Sequence, residues 1–182
     1  MLLDTPICDF GAAAPRFDLP DFDGNRTTLQ AAMGANGLVV VFMCNHCPYV
    51  KAIIDRLVMD AKTLRGEGVN MVAIMPNNYH AYADDNPDQM RIFAQTHAMT
   101  FPYLVDETQQ VAKAYGAVCT PDFFGYNRDF ALQYRGRLDD ARMQDASNRK
   151  AELIDAMCMV AQTGSGPQDQ IPSMGCSIKW KA

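Results

Sequence analysis

Leu38–Met43 are six consecutive apolar residues opened by Gly37, the pattern of a strand buried on both faces. At Pro48 the period changes. Val50, Ile53, Ile54, Leu57, Val58, Ala61 and Leu64 recur at helical spacing and predict a helix with one buried face, with Gly66 as its positive-φ C-terminal residue. Upstream, Phe17, Leu19 and Phe22 flank Pro20, and Asp23-Gly24-Asn25 is a turn signal, so residues 16–28 read as a small hairpin. Thr28–Met33 predicts a short helix. Downstream, Asn70–Met75, Phe101–Val105 and Asp122–Tyr126 read as strands, and Phe130, Leu132 and Tyr134 alternate along a return strand. Asn86 as N-cap, Pro87 at the first turn and Gln89 open a helix that runs to His97. Thr108–Tyr115, closed by Gly116, and Lys150–Gln162 are the remaining helices. Residues 1–15, the polar stretches 76–85 and 139–147, and the break at 163–167 read as irregular. Alternating strands and helices followed by a terminal hairpin imply an α/β fold, a central mixed sheet flanked by helices, with an N-terminal β-hairpin extension and a C-terminal tail.

Composition narrows the class. The chain has 182 residues, 48% apolar and 20% charged, which suits one globular domain over 1–182, with a core over about 10–162 and a tail over 163–182. A net charge of −5 without a basic cluster argues against a nucleic-acid partner. No apolar stretch is long enough to span a bilayer, so no membrane partner is expected. Met1–Pro6 has neither a charged n-region nor an apolar h-region, so no signal peptide is read there and a cytoplasmic location is expected. Six cysteines in that setting point to redox or catalytic chemistry more than to static disulfides.

The chemistry concentrates at Cys44-Asn45-His46-Cys47, where the buried strand gives way to the helix. Backbone N–H groups and the positive end of the helix dipole favour an anion there. A thiolate is such an anion, and a Cys-x-x-Cys pair so placed acquires a lowered first pKa. Cys44, the outer residue, is expected to attack and Cys47 to resolve, through a mixed disulfide, with His46 stabilising the thiolate. A zinc site is the other reading of such a pair, but no second Cys-x-x-Cys or His-x-x-x-His stands elsewhere to complete it. No metal and no cofactor is therefore expected at this site.

Four ordered features resemble the thioredoxin superfamily and, within it, the redoxin branch of peroxiredoxin-like (AhpC/TSA-like) and thiol–disulfide oxidoreductase proteins. They are Phe17-Asp18-Leu19 with Asp23-Gly24 and Leu29, the Cys44–Cys47 motif, Thr120-Pro121 before a strand, and Tyr134-Arg135-Gly136 closing the hairpin. The ending Gly175-Cys176-Ser177-Ile178-Lys179-Trp180-Lys181 resembles a tail of a peroxiredoxin-like subgroup. The resemblance implies a thioredoxin-like fold, a cis Thr120-Pro121 bond packed on the cysteine pair, and Thr120 and Pro121 forming the substrate groove. By sequence alone, Pro121 reads as an ordinary trans proline.

Two departures from the family pattern matter. Asn45-His46 stands between the cysteines, and a His before the second cysteine resembles oxidising members. Three residues before Cys47 stands Cys44, where peroxiredoxins carry Thr or Ser, and Val40 stands where they carry Pro. The implied function is thiol–disulfide oxidoreduction, with protein or low-molecular-weight disulfides and a dithiol reductant as partners. Peroxide reduction is second, and a metal-binding or redox-sensing module built on Cys44, His46 and Cys47 is the non-enzymatic alternative. Arg135 reads either as a neighbour of the pair or as a solvated strand-end residue. Cys119 and Cys176 are expected either to form an auxiliary redox pair or to stand as two unconnected thiols. Cys158 fits the apolar face of the last helix.

Overall fold

The computed structural model describes residues 1–181. Its centre is a five-stranded sheet in the order β6-β5-β4-β8-β9. The strands are β4 (Gly37–Phe42), β5 (Val69–Met75), β6 (Tyr103–Val105), β8 (Asp122–Asn127) and β9 (Leu132–Tyr134). β4, β5 and β6 are mutually parallel, while β8 runs antiparallel to β4, and β9 antiparallel to β8. All six residues of β4 are buried, as the unbroken apolar run requires for a strand covered on both sides.

Alternation along β4 divides the core in two. Val39 and Val41 face the cluster built by α2 (Pro48–Gly66), α3 (Pro87–Thr96) and α5 (Glu152–Thr163), through residues such as Ile54, Leu57, Met90, Leu153 and Met157. Leu38, Val40 and Phe42 face the other cluster, with Leu29 of α1 (Leu29–Ala32), Ala112 and Tyr115 of α4 (Gln110–Tyr115), and Phe124. There Phe42, Tyr115 and Phe124 pack edge to face, at centroid distances of 5.3 to 5.7 Å. The hairpin β2 (Asp18–Pro20) and β3 (Arg26–Thr28) pairs antiparallel, as its turn residues predict, and bridges to the main sheet at Asp21 and Leu104.

The caps follow sequence chemistry. Thr28 Oγ1 accepts from Ala31 N–H at the start of α1, and Asn86 Oδ1 from Gln89 N–H at the start of α3. Gly116 ends α4 at φ 63°. The stop after α2 differs from expectation. Gly66 is the last helical residue, and the positive φ of 74° falls on Gly68.

Two further expectations need correction. Residues 1–15 are not wholly irregular: β1 (Leu2–Asp4) pairs with β10 (Met174–Ser177), so the terminal tail is a strand in the middle of a second sheet, β1-β10-β7, with β7 at Cys119–Thr120. Among the described residues no helix is long and apolar enough to cross a membrane. Asp139 is not a solvated loop residue but is 1% exposed. Its carboxylate accepts from Arg56 and Arg149, and Arg149 also binds Asp60 of α2, pinning the 139–150 segment to that helix. Asp139→Ala leaves two guanidinium groups short of a partner and is expected to cost about 2–3 kcal/mol; urea unfolding checks it.

Candidate redox centre

β4 delivers Cys44 at its C-terminal end, and Cys47 is the N-cap of α2 with Pro48 in the first turn. Between them, Asn45 and His46 form a loop clamped by Asp85, which is fully buried at the end of a single-turn 3₁₀ helix, Ala83–Asp85. Asp85 Oδ1 accepts the Asn45 N–H at 2.8 Å and, more weakly, the His46 N–H at 3.4 Å. Its Oδ2 accepts from Asn77 Nδ2 at 2.8 Å and meets His46 Nδ1 at 2.7 Å. The Asn45 side chain is held at both ends, donating to Asp84 O and accepting from Tyr103 Oη at 2.9 Å each. The His46 ring stacks on Tyr82, with centroids 5.9 Å apart. Asp85, Asn77 and Tyr103 carried no sequence signal. Asp85 sits in a polar stretch that reads as a surface loop, and only the fold turns it inward.

Across the loop stands the cis Thr120-Pro121 peptide. The Thr120 hydroxyl lies 3.5 Å from Cys44 Sγ, and its carbonyl oxygen accepts from Cys47 Sγ at 3.1 Å. Both cysteine sulfurs meet Thr120, and each perturbs the titration of the other. The Cys44 thiol donates to the Cys47 sulfur, and together with the Thr120 side chain and the N–H groups of Val50 and Cys176 this holds Cys47 below the ordinary thiol range, at about 5, against the opposing effect of burial. Cys44 is pushed far upward by the same hydrogen bond, then by burial and the Asp85 charge. Thr120 thus serves both cysteines: its hydroxyl lies beside Cys44 and its carbonyl accepts from the Cys47 thiol.

The direction of the two shifts favours Cys47, the residue at the helix N-terminus, as the more acidic sulfur, whereas the spacing alone points to Cys44. Cys44 is not the outer residue, since the pair is 1% and 0% exposed. The expected groove at Thr120 is also filled: β10 pairs along this edge, with Cys176 opposite Thr120 and Ser177 opposite Cys119, and Ser173 Oγ donates to Pro121 O at 2.8 Å. The open surface near the pair is an apolar hollow beside Pro121, bounded by Tyr49, Ile53, Phe123, Leu138 and Met174, and a shallower one beside His46 and Lys51.

The register also separates the expected auxiliary pair. Neighbouring residues of a strand face opposite ways, so Cys176 shares a face with Thr120 while Cys119 turns to the other side, its Sγ against Pro121 O at 3.6 Å. Burial raises the Cys119 thiol. Arg135 is neither solvated nor beside the cysteine pair. It is 8% exposed, bonded to Asp122 Oδ2 at 3.1 Å and to Gly116 O, and lies over the Phe124 ring.

Cys44 Sγ, a His46 ring nitrogen and an Asp85 oxygen lie within 4.8 Å of one another, a spacing that a soft cation can bridge. The Asp85 oxygens, however, already accept from the Asn45 and His46 N–H groups and from Asn77 Nδ2, and lie 2.7 Å from His46 Nδ1. The arrangement suits a clamp better than a ligand set.

An uncharacterized conserved protein from Geobacillus kaustophilus is 41% identical, with a TM-score of 0.92 over 100% of this chain and 97% of that one. A hypothetical protein from Sinorhizobium meliloti 1021 is 38% identical, with a TM-score of 0.92 over 98% of each chain. Peroxiredoxin Bcp from Escherichia coli K12 is 28% identical over 119 residues, 65% of this chain and 71% of that protein. The AhpC/TSA family model matches residues 10–160, the span that carries both the Cys44–Cys47 loop and the cis proline. The chain therefore belongs to the AhpC/TSA family, a redoxin branch of the thioredoxin superfamily of oxidoreductases.

Proposed function

We propose that the protein is a thiol–disulfide oxidoreductase that cycles Cys44 and Cys47 between dithiol and disulfide. The observation that carries this reading is a Cys-x-x-Cys pair at a helix N-terminus whose two sulfurs both meet Thr120 of the cis Thr120-Pro121 peptide. Cys47 makes the mixed disulfide, and Cys44, which holds the proton beside Thr120, resolves it: one S–S bond forms as another breaks, and the proton follows the leaving sulfur. His46, held by Asp85, lines the approach to Cys44. In glutathione redox buffers, peptide mapping is expected to show a Cys44–Cys47 disulfide whose formation depends on the buffer ratio. Failure to find that bond at any ratio would overturn the reading.

The lowered Cys47 pKa has a consequence with a definite sign. A group whose folded pKa is depressed contributes stability that is present above its unfolded pKa and is lost as pH falls through the folded value. The reduced form is therefore expected to gain stability between about pH 5 and the ordinary thiol range near 8.5. The disulfide form has no such thiolate and is expected to show no matching rise. Paired denaturant titrations of the two forms across this window test the difference. A stabilised reduced form also makes the pair more oxidising, the direction read from His46.

Peroxide reduction is the second reading, favoured by the family and by the position of the thiolate. Cys47 would become a sulfenic acid as the peroxide leaves as alcohol or water, and Cys44 would condense with it, releasing water. A peroxide-consumption assay separates the two activities.

A further inference from the structure

Cys44 and Cys47 are 1% and 0% exposed, whereas Cys176 in β10 is half-buried and reaches solvent. A dithiol sealed in this way needs a route to sulfurs outside, and the strand register supplies one. Cys176 stands opposite Thr120, and directly opposed residues of antiparallel strands project to the same face. On that face the Thr120 hydroxyl and carbonyl oxygens lie 3.5 Å from Cys44 Sγ and 3.1 Å from Cys47 Sγ. Cys176 packs against the apolar cluster that contains both cysteines. Gly175 permits the approach, since a Cβ there would overlap Thr120 O.

Cys176 and Cys47 are close enough to perturb one another: burial and the Cys47 sulfur raise the Cys176 thiol, opposed by Lys179 and the amino terminus.

We propose that Cys176 is a third redox thiol, which exchanges with the Cys44–Cys47 disulfide and carries its oxidising equivalent to the surface. This rests on the dithiol reading above. In the exchange the Cys176 sulfur attacks Cys47, so that the Cys47–Cys176 bond forms while the Cys44–Cys47 bond breaks, and the proton of Cys176 ends on Cys44. The number of disulfides does not change. A small external thiolate then attacks Cys176, expelling Cys47 as the thiolate its surroundings favour. A second external thiolate removes the first as a disulfide and leaves Cys176 reduced. Two external thiols are oxidised and one protein disulfide is reduced to two thiols.

Full-length Cys44→Ser, oxidised with diamide and mapped as non-reduced peptides, is expected to carry Cys47–Cys176 as its main intramolecular disulfide. The bond should vanish in Cys44→Ser/Cys176→Ser and persist in Cys44→Ser/Cys119→Ser. With the pair intact, Cys176→Ser is expected to form the Cys44–Cys47 disulfide but to oxidise glutathione at least about tenfold more slowly, and Cys176→Ala should behave in the same way. The relay is overturned if Cys47 of Cys44→Ser pairs with Cys119 or stays free to alkylation, or if both Cys176 variants oxidise glutathione at the wild-type rate. Absence of any Cys44–Cys47 disulfide in wild type would instead defeat the dithiol reading, so the two failures are distinct.

Discussion

Cys47→Ser is expected to lower thiol–disulfide turnover by at least about three orders of magnitude, because it removes the sulfur that carries the charge. Cys44→Ser is expected to behave differently. It keeps Cys47 at the helix N-terminus and should still form a mixed disulfide, but without its resolving partner that species accumulates or passes to Cys176. Cys44→Ala, unlike Cys44→Ser with its hydroxyl donor, also removes the hydrogen bond that contributes most to lowering the Cys47 pKa. The apparent pKa of Cys47 is therefore expected to rise in Cys44→Ala, a shift that thiolate ultraviolet absorbance reads directly. Trapping through Cys44 in Cys47→Ser, together with no adduct at Cys47 in Cys44→Ser, would restore the order expected from spacing alone.

The second large effect is structural. Asp85→Ala strips the acceptor from the Asn45 N–H, the Asn77 side chain and His46 at once. Two of those donors belong to buried residues, and a buried donor left without a partner costs about 1–3 kcal/mol. The expected loss is about 3–5 kcal/mol, a large share of the stability of a typical domain. Guanidinium unfolding measures it, and a loss below about 1 kcal/mol would mean that water replaces the carboxylate at little cost.

Much of the frame can be read along the chain because it rests on local periodicity. The valines of β4, the helical spacing behind Pro48 and the caps at Thr28 and Asn86 each determine structure through their own neighbours, and the elements fall within a few residues of where those patterns put them. The redox motif is legible for the same reason, since a strand-to-helix junction brings Cys44 and Cys47 together regardless of the rest of the fold. What escapes is long-range. Asp85 lies forty residues beyond Asn45, and no spacing rule links a polar loop to the loop it clamps. The contacts of the two sulfurs depend on Thr120, 73 residues beyond Cys47. Arg135 looks like a solvated strand end because its partner Asp122 is thirteen residues away. Strand β10 is the largest omission: Met174–Ser177 is too short to show alternation, and its place is set by two partners far from it in the chain, β1 and β7.

That placement has a mechanical side. In the order β1-β10-β7 the last strand is flanked on both edges, and the termini are stitched further by Ser177 N–H to Met1 O and Thr5 N–H to Ser173 O. Clipping the final residues would strand Leu2–Asp4 without its neighbour and flood the sulfurs with solvent in a single event. An affinity tag or a protease nick near either terminus thus becomes a perturbation of the redox centre, however remote it looks on a linear map.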